Sequence, residues 1–453
     1  MSNEKSEALE IVVPSGWECA RLDELLDEER GISYGIVQPG NHEVGGVPIV
    51  RVNNIRGGRL LTDDAMRVSA KIEAEYRRTR LRGGELLLSL VGTLGEYAVV
   101  PPSLAGWNVA RAVAVIPLRD GIDPNWVAMC LGSSELQSLM RGWATTTVQA
   151  TLNLRDVRRL PILLAPEPNR SEITRVVKHL DDKIEQNRKT GKKLEELARA
   201  VFKAWFVDFE PVKAKAAGAT SFPGMPAETF ATLPTQFVDS PLGPIPEGWE
   251  VGTLGDAVTL SKQQVKPQAH ADETFEHFSI PAYDASANPV SELGGTIMSN
   301  KFSVVPGCVL FSKLNPRIPR IWLPPLPGEV RQISSTEFLV LVPNTGWTRE
   351  LVWCQLSQDA FRDILTQGAS GTSNSHQRIR PQDFINAPVV IAAPSIRHAF
   401  SEIVIPLFLL REQQHQESRK LAELRDYLLP RLLSGKVRVK AALDKMDSHG
   451  VTQ

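Results

Sequence analysis

ITRVVKHLDDKIEQNRKTGKKLEELARAVFKA, residues 173–204, decides the fold. Ile173, Val176, Leu180, Leu194, Leu197, Val201 and Ala204 fall on the a and d positions of a heptad pattern, and polar Asn187 and Thr190 interrupt its middle. Carried forward from Ile173 to Phe400, the same register meets Phe400, Ile403, Leu407, Leu410, Leu421, Leu424 and Leu428, with Gln414 and Glu417 at the matching interruption. That is about five heptads in each of two helices, the period and length of a coiled-coil seam. Asn169 or Ser171 is placed to cap the first helix, and Ser395 or Ser401 the second. Pro211 is the stop signal of the first helix, while Pro406 either kinks the second or marks its true start.

Working outward, the same shift brings the flanking regions into register. Pro14-Ser-Gly16-Trp17-Glu18 matches Pro246-Glu-Gly248-Trp249-Glu250. Gly84-x-x-Leu87-x-Ser89 matches Gly307-x-x-Leu310-x-Ser312, and the apolar run ending in Pro117 matches the one ending in Pro343. Asp156-x-x-x-x-Pro161 matches Asp383-x-x-x-x-Pro388, and Leu194-Glu-Glu-Leu197 matches Leu421-Ala-Glu-Leu424. Single matches are weak, but their common order at a nearly constant offset makes the chain a tandem of unit, helix, unit, helix. Within each unit short β-rich runs alternate with turns and short helices, the pattern of a mixed α/β domain.

The expected fold is therefore α+β: two mixed α/β domains in a pseudo-two-fold repeat, separated by two long helices forming an antiparallel coiled coil. The boundaries read as a first globular domain at 1–168, the central helix at 169–210 and a Pro-rich extended linker at 211–245. A second globular domain follows at 246–394, the distal helix at 395–440 and a tail at 441–453. Thirty-odd helical residues make a rod of roughly 50 Å, longer than one turn of DNA, about 34 Å. Trp17 and Trp249 are expected to pack the first strand of each domain.

The 453 residues, 42% hydrophobic and 23% charged, are an ordinary globular composition. No apolar run suits a membrane span, and the polar start MSNEKSEALE lacks a signal core, which places the expected location in the cytoplasm. The four cysteines show no C-x2-C spacing, and the eight histidines show no H-x3-H or H-E-x-x-H pattern, so no metal site is expected. A phosphate loop is absent, since Ser434-Gly435-Lys436 lacks the upstream glycine, and so is a dinucleotide fingerprint. Asn315-Pro316-Arg317 fails the third position of an amino-methyltransferase turn. Asp181-Asp182 beside Lys183 reads as a solvated helix face rather than a nuclease site. The chain is expected to be no enzyme and to hold no cofactor.

Net charge is −1, yet residues 51–82 carry nine basic side chains against four acids, and whole-chain charge says little about local patches. Base edges are read by Arg, Lys, Asn, Gln, Ser and Thr standing on loops of a rigid domain. Two loops at equivalent repeat positions are dense in such groups. The first holds Thr145, Thr146, Thr147, Gln149, Asn153 and Arg155, and the second Thr372, Ser373, Asn374, His376, Gln377, Arg378 and Arg380. Arg51, Asn53, Asn54 and Arg56 follow an early strand, and Lys313, Asn315 and Arg317 a later one. All are candidate DNA-contact residues. Trp205, Phe206 and Phe209 form either a partner-docking patch or a lid on the adjacent domain.

LDDKIEQNRK at 180–189 and ARAVFKAWFVDFEPV at 198–212 resemble the central conserved region of type I restriction-modification specificity subunits. LAELRDYLLPRLLSGKVRV at 421–439 resembles their distal conserved region. The resemblance implies two target-recognition domains, each reading one half of a split site on double-stranded DNA. It also implies a coiled coil that docks two methyltransferase subunits, which hold restriction/translocase subunits in turn. S-adenosylmethionine, ATP and Mg would be bound by those partners. A coiled-coil scaffold with two protein-binding heads is the alternative that the repeat and heptads equally allow.

Overall fold

The computed structural model describes residues 13–436 except 64, 147–149, 327 and 369–376. The fold is α+β. The chain divides into two compact units, Met1–Glu185 with Ser418–Gln453, and Gln186–Glu417. The central helix runs from Asn169 to Phe202 and the distal helix from Pro394 to Leu433. Each unit holds a globular head together with part of each helix.

The two heads share one strand plan. In the first, a four-stranded antiparallel sheet has the order Ser33–Tyr34, Val113–Ile116, Leu86–Ser89, Tyr97–Val99. In the second, the order is Val258–Ser261, Phe338–Pro343, Val309–Ser312, Ile321–Trp322. Each head also pairs its first strand with its last, Glu18–Arg21 with Pro161–Leu164 and Glu250–Thr253 with Pro388–Ile391. The heads differ in a further sheet: three strands in the first, five in the second.

The repeated motifs have local physical causes. In Pro14–Trp17 and Pro246–Trp249 the Trp N–H donates to the Pro carbonyl at 3.0 Å, and the third residue is Gly16 (φ 79°) or Gly248 (φ 80°). Such a turn demands a left-handed residue at that place, which glycine adopts without a Cβ clash. The central strands Leu86–Ser89 and Val309–Ser312 are wholly buried because both faces are covered. Leu86 and Leu88 face one core while Leu87 faces another, as the two-residue strand period requires. The serine ending each strand is buried too. Ser89 Oγ donates to the Thr93 carbonyl and accepts from Glu96 N, and Ser312 Oγ donates to the Leu314 carbonyl. Each serine thus pins the loop that leaves its strand.

The helices pack antiparallel. In the second unit Asn187 Nδ2 donates to Glu417 at 2.7 Å and Arg411 Nε to Glu195 at 2.5 Å, so numbers rise on one helix as they fall on the other. In the first unit Arg425 meets Asp181 at 2.8 Å. Asp181 and Asp182 do lie on an ion-paired helix face, Asp182 with Lys178. The seam is not a free-standing coiled coil. Ile173, Val176, Leu180, Leu424 and Leu428 share one core with the sheets of the first head. Ala198, Phe202, Phe400, Val404 and Phe408 do the same in the second.

Several expectations need correcting. Leu197 is 50% exposed and Leu410 41%, while Ala198, Phe202, Val404 and Phe408 are buried. In the second unit the buried face therefore turns away from the strict heptad, because each helix must also cover a globular head. The distal helix begins at Pro394, whose lost N–H has no intrahelical partner to forgo there, and it continues through Pro406 and Pro430. Ser401 lies inside it, donating to the Arg397 carbonyl. The stretch 211–245 is no extended linker. It forms short helices at Glu210–Ala216 and Ala227–Thr232, and it buries Val212, Met225, Phe230 and Leu233 in the core of the second unit.

Trp205, Phe206 and Phe209 are not a docking patch, since they are only 2%, 6% and 9% exposed. The central helix passes into a π-helical turn at Lys203–Val207, and Phe209 adopts a left-handed φ of 54°. This directs all three rings inward. Phe206 meets Phe400 edge-on at 5.1 Å and Trp249 at 5.9 Å, and Phe209 meets Trp249 at 5.7 Å. They act as the lid on the adjacent domain. In urea denaturation of the full chain, Phe400→Ala is expected to cost about 3–5 kcal/mol. Leu197→Gln is expected to stay within about 0.5 kcal/mol; a large loss there would restore the strict heptad register.

Candidate nucleic-acid interface

The loops that the two serines pin are where the candidate residues gather. In the first head, Leu152 N donates to the Leu90 carbonyl at 2.9 Å, and Val91 bridges Thr151. This attaches the antiparallel strand pair Thr145–Thr146 and Ala150–Thr151 to the loop after the central strand. An open cleft beside it is lined by Arg51, Asn53, Arg56, Val91, Gly92 and Thr93. Two candidate stretches nearly a hundred positions apart therefore converge on Val91. Asn153 and Arg155 are exposed at the start of the next short helix.

In the second head the same device recurs. Leu314 bridges Arg378, Asn315 N donates to the Gln377 carbonyl at 2.8 Å, and Ile379 N donates to the Lys313 carbonyl at 3.0 Å. Lys313, Asn315, Gln377 and Arg378 form one cluster, with Arg317 and Arg380 exposed nearby in the chain. Asn315 takes a left-handed φ of 52°, a conformation for which asparagine is enriched among non-glycine residues. The repeat-equivalent residue, Gly92, has φ 82°. Thr147, Gln149, Thr372, Ser373, Asn374 and His376 lie outside the described residues, as do the side chains of Thr145 and Thr146.

Asn54, expected among the contact residues, faces inward instead. It is 5% exposed, its Oδ1 accepts from Arg51 N at 2.9 Å and its Nδ2 donates to the Leu61 carbonyl at 3.0 Å. It shapes the loop that presents Arg51 and Asn53 and has no edge left for a base. The basic run 51–82 is likewise not one patch. Arg59 pairs with Glu185 at 3.3 Å, Arg67 donates to the Gly46 carbonyl and Arg78 to that of Arg30. Arg80 Nε donates to Glu73 Oε1 at 2.7 Å. Arg51 and Arg56 remain at the cleft.

Three residues of these surfaces escape sequence reasoning. Glu96 lines the cleft and accepts from Gly57 N at 2.8 Å. Arg111 is exposed between Ala110 and Ala112, which also line it. Glu337, at the equivalent point of the second head, pairs with Arg378. Repeat alignment would have drawn attention to Arg111 and Glu337 together; a search for bases alone passes over both acids.

The buried thiols offer no nucleophile near neutral pH, since burial pushes Cys130 up to about 12 and Cys308 up to about 11. Among the described residues no group of His, Cys, Asp or Glu is arranged to hold a metal ion. Nor is any described helix long and apolar enough to cross a membrane.

No family model matches the chain. Curated relatives do. The specificity subunit of the type I restriction enzyme EcoBI from Escherichia coli is 29% identical over 38% of this chain and 36% of its own length. The HindI specificity subunit from Haemophilus influenzae is 22% identical over 79% of this chain and 87% of its own. The MjaIX specificity subunit from Methanocaldococcus jannaschii is 22% identical over 94% and 95%. Among solved structures, the type I restriction-modification S subunit from M. genitalium aligns over 94% of this chain and 97% of that one, at 13% identity and a TM-score of 0.48. The proteins this chain resembles are thus specificity subunits of type I restriction enzymes.

A hydrogen-bonded network supports the sheet behind Arg51. Glu73 accepts from Arg80 and from Asn108 Nδ2 at 3.3 Å, and Thr79 Oγ1 donates to Asn108 Oδ1 at 2.7 Å. The Arg80 hydrogen bond holds the Glu73 carboxyl below its ordinary range. A depressed folded-state value stabilises the fold above the unfolded carboxylate value, and that contribution is lost as pH falls through the folded value. The stability gap between the natural chain and Glu73→Gln is therefore expected to be widest at neutral pH and to close below about pH 4. A gap independent of pH in melting experiments would remove the charged pair from the account.

Proposed function

We propose that this chain is the specificity subunit of a type I restriction-modification assembly. It reads a two-part site on double-stranded DNA, one half with each head, and works in the cytoplasm as a non-catalytic partner. The observation that carries the reading is the recurrence, in both heads, of one device: a buried serine pinning a loop whose backbone clasps a second loop rich in base-reading side chains. Similarity to specificity subunits over nearly the whole chain supports it.

The helices would dock two methyltransferase subunits, and these in turn the restriction/translocase subunits. A near-neutral chain gains modest affinity from phosphate contacts, so clamping by those partners would supply the rest. S-adenosylmethionine, ATP and Mg would sit on the partners. The methyltransferase would flip its target adenine out of the stack to modify it. The heads would fix which bases are read, and the helix pair the unread gap between them.

Co-expression of the chain with the methyltransferase subunit from the same genome, followed by methylome sequencing, tests this. Adenine methylation at one split motif with a fixed gap is expected. A stable complex without new methylation would move the weight to a scaffold with protein-binding heads. Lengthening both helices by one heptad, near residues 187–190 and 414–417, adds about 10 Å, or roughly three base pairs. The half-sites should stay and the gap should grow; an unchanged gap would sink the ruler role.

A further inference from the structure

Glu337 is an acid on a surface argued to face DNA, where a bare carboxylate weakens binding to phosphates. Its geometry gives it another task. Arg378 Nε donates to Glu337 Oε2 at 3.2 Å and Arg378 Nη2 to Oε1 at 3.1 Å, a two-point grip along one edge of the guanidinium. Both partners are held from behind. Glu337 N donates to Ser335 Oγ at 3.3 Å, and its carbonyl accepts from Lys313 N at 3.0 Å. The Arg378 backbone bridges Leu314 in the pinned loop. The Arg378 side chain is nevertheless 54% exposed.

We propose that Glu337 is a positioning residue that aims Arg378 at a guanine in the major groove of one half-site. The inference rests on the DNA-reading function proposed above and extends it to one residue pair and one base. Two features favour a base over a phosphate. The pair is nearly neutral as a whole, so it contributes little to charge-driven affinity. The grip uses Nε and one Nη2 hydrogen, and leaves the terminal edge with Nη1 and the second Nη2 hydrogen, a fork that matches guanine O6 and N7. A carboxylate on the other edge stops the guanidinium from rotating, so direction rather than charge is what the pair supplies. Lys313 follows the end of the strand Val309–Ser312, and its backbone N–H and carbonyl tie the Glu337 and Ile379 backbones to that strand end.

The test uses the full chain with its methyltransferase partner, with methylome sequencing as the readout. Glu337→Gln and Arg378→Lys are each expected to relax the same G·C pair of one half-site by about tenfold, with the double variant relaxing it no further. Glu337→Asp, which keeps the charge but withdraws it by one methylene, should fall between. Glu337→Gln should still methylate the original motif to the same extent while accepting the changed base pair, which a loss of structure in the head would not allow. An unchanged motif in both single variants, or relaxation at two different positions, would overturn the proposal. Loss of the split motif in the natural chain itself would instead strike the DNA-reading function, so the two failures are told apart by the unsubstituted control.

Discussion

Each head is held to the helices by burial of one common apolar core, and the rest of the structure depends on that sharing. In the second unit Phe400 of the distal helix receives Phe202, Trp205 and Phe206 of the central helix at ring distances of 5.6, 5.8 and 5.1 Å. Phe206 then passes the contact to Trp249 at the entrance of the head. In the first unit the seam leucines join the Trp126 core in the same way, and Trp126 Nε1 donates to the Leu163 carbonyl in the closing strand at 2.6 Å. The merged core fixes the position of each candidate loop relative to the helices. It does so more firmly than surface ion pairs could, since exposed pairs are commonly worth under about 1 kcal/mol.

Much of this was legible because local physics repeats with the sequence. The Gly16 and Gly248 turns, the serines ending the central strands and the paired first and last strands all sit where the repeat places them. What was not legible is what depends on a partner surface. Leu197 obeys the heptad on paper, but the helix must also cover a head, and Ala198 and Phe202 turn inward instead. The Trp205 cluster needed a π turn and a left-handed Phe209 to be hidden, and neither has a reliable signature in residue order. Pro-rich 211–245 reads as a tether by composition, yet Val212, Met225, Phe230 and Leu233 give it enough apolar surface to pack.

The candidate interface was legible as loops and less so as residues. Both clasped loops stand out in the sequence by their density of polar side chains, while their approach to the central-strand loops in three dimensions, through Val91 and Thr151 or Leu314 and Arg378, is not visible from spacing. Polar residue type alone could not separate Asn54, spent on its own loop, from Asn53, exposed beside it. Nor could charge counting foresee that Arg59, Arg67, Arg78 and Arg80 would be occupied within the domain. An arginine count measures supply, whereas the structure decides how much of that supply is left facing outward.

The merged cores also say where this chain can be divided. A cut between a head and its helices would split a core and expose both halves. A cut across both helices near Asn187 and Glu417 meets a polar contact in which a buried carboxamide and a carboxylate take the place of packed side chains. The separable module is therefore a head together with its own share of both helices. Joining two such chains within the helices would exchange one head for another and leave each module's interior as it was.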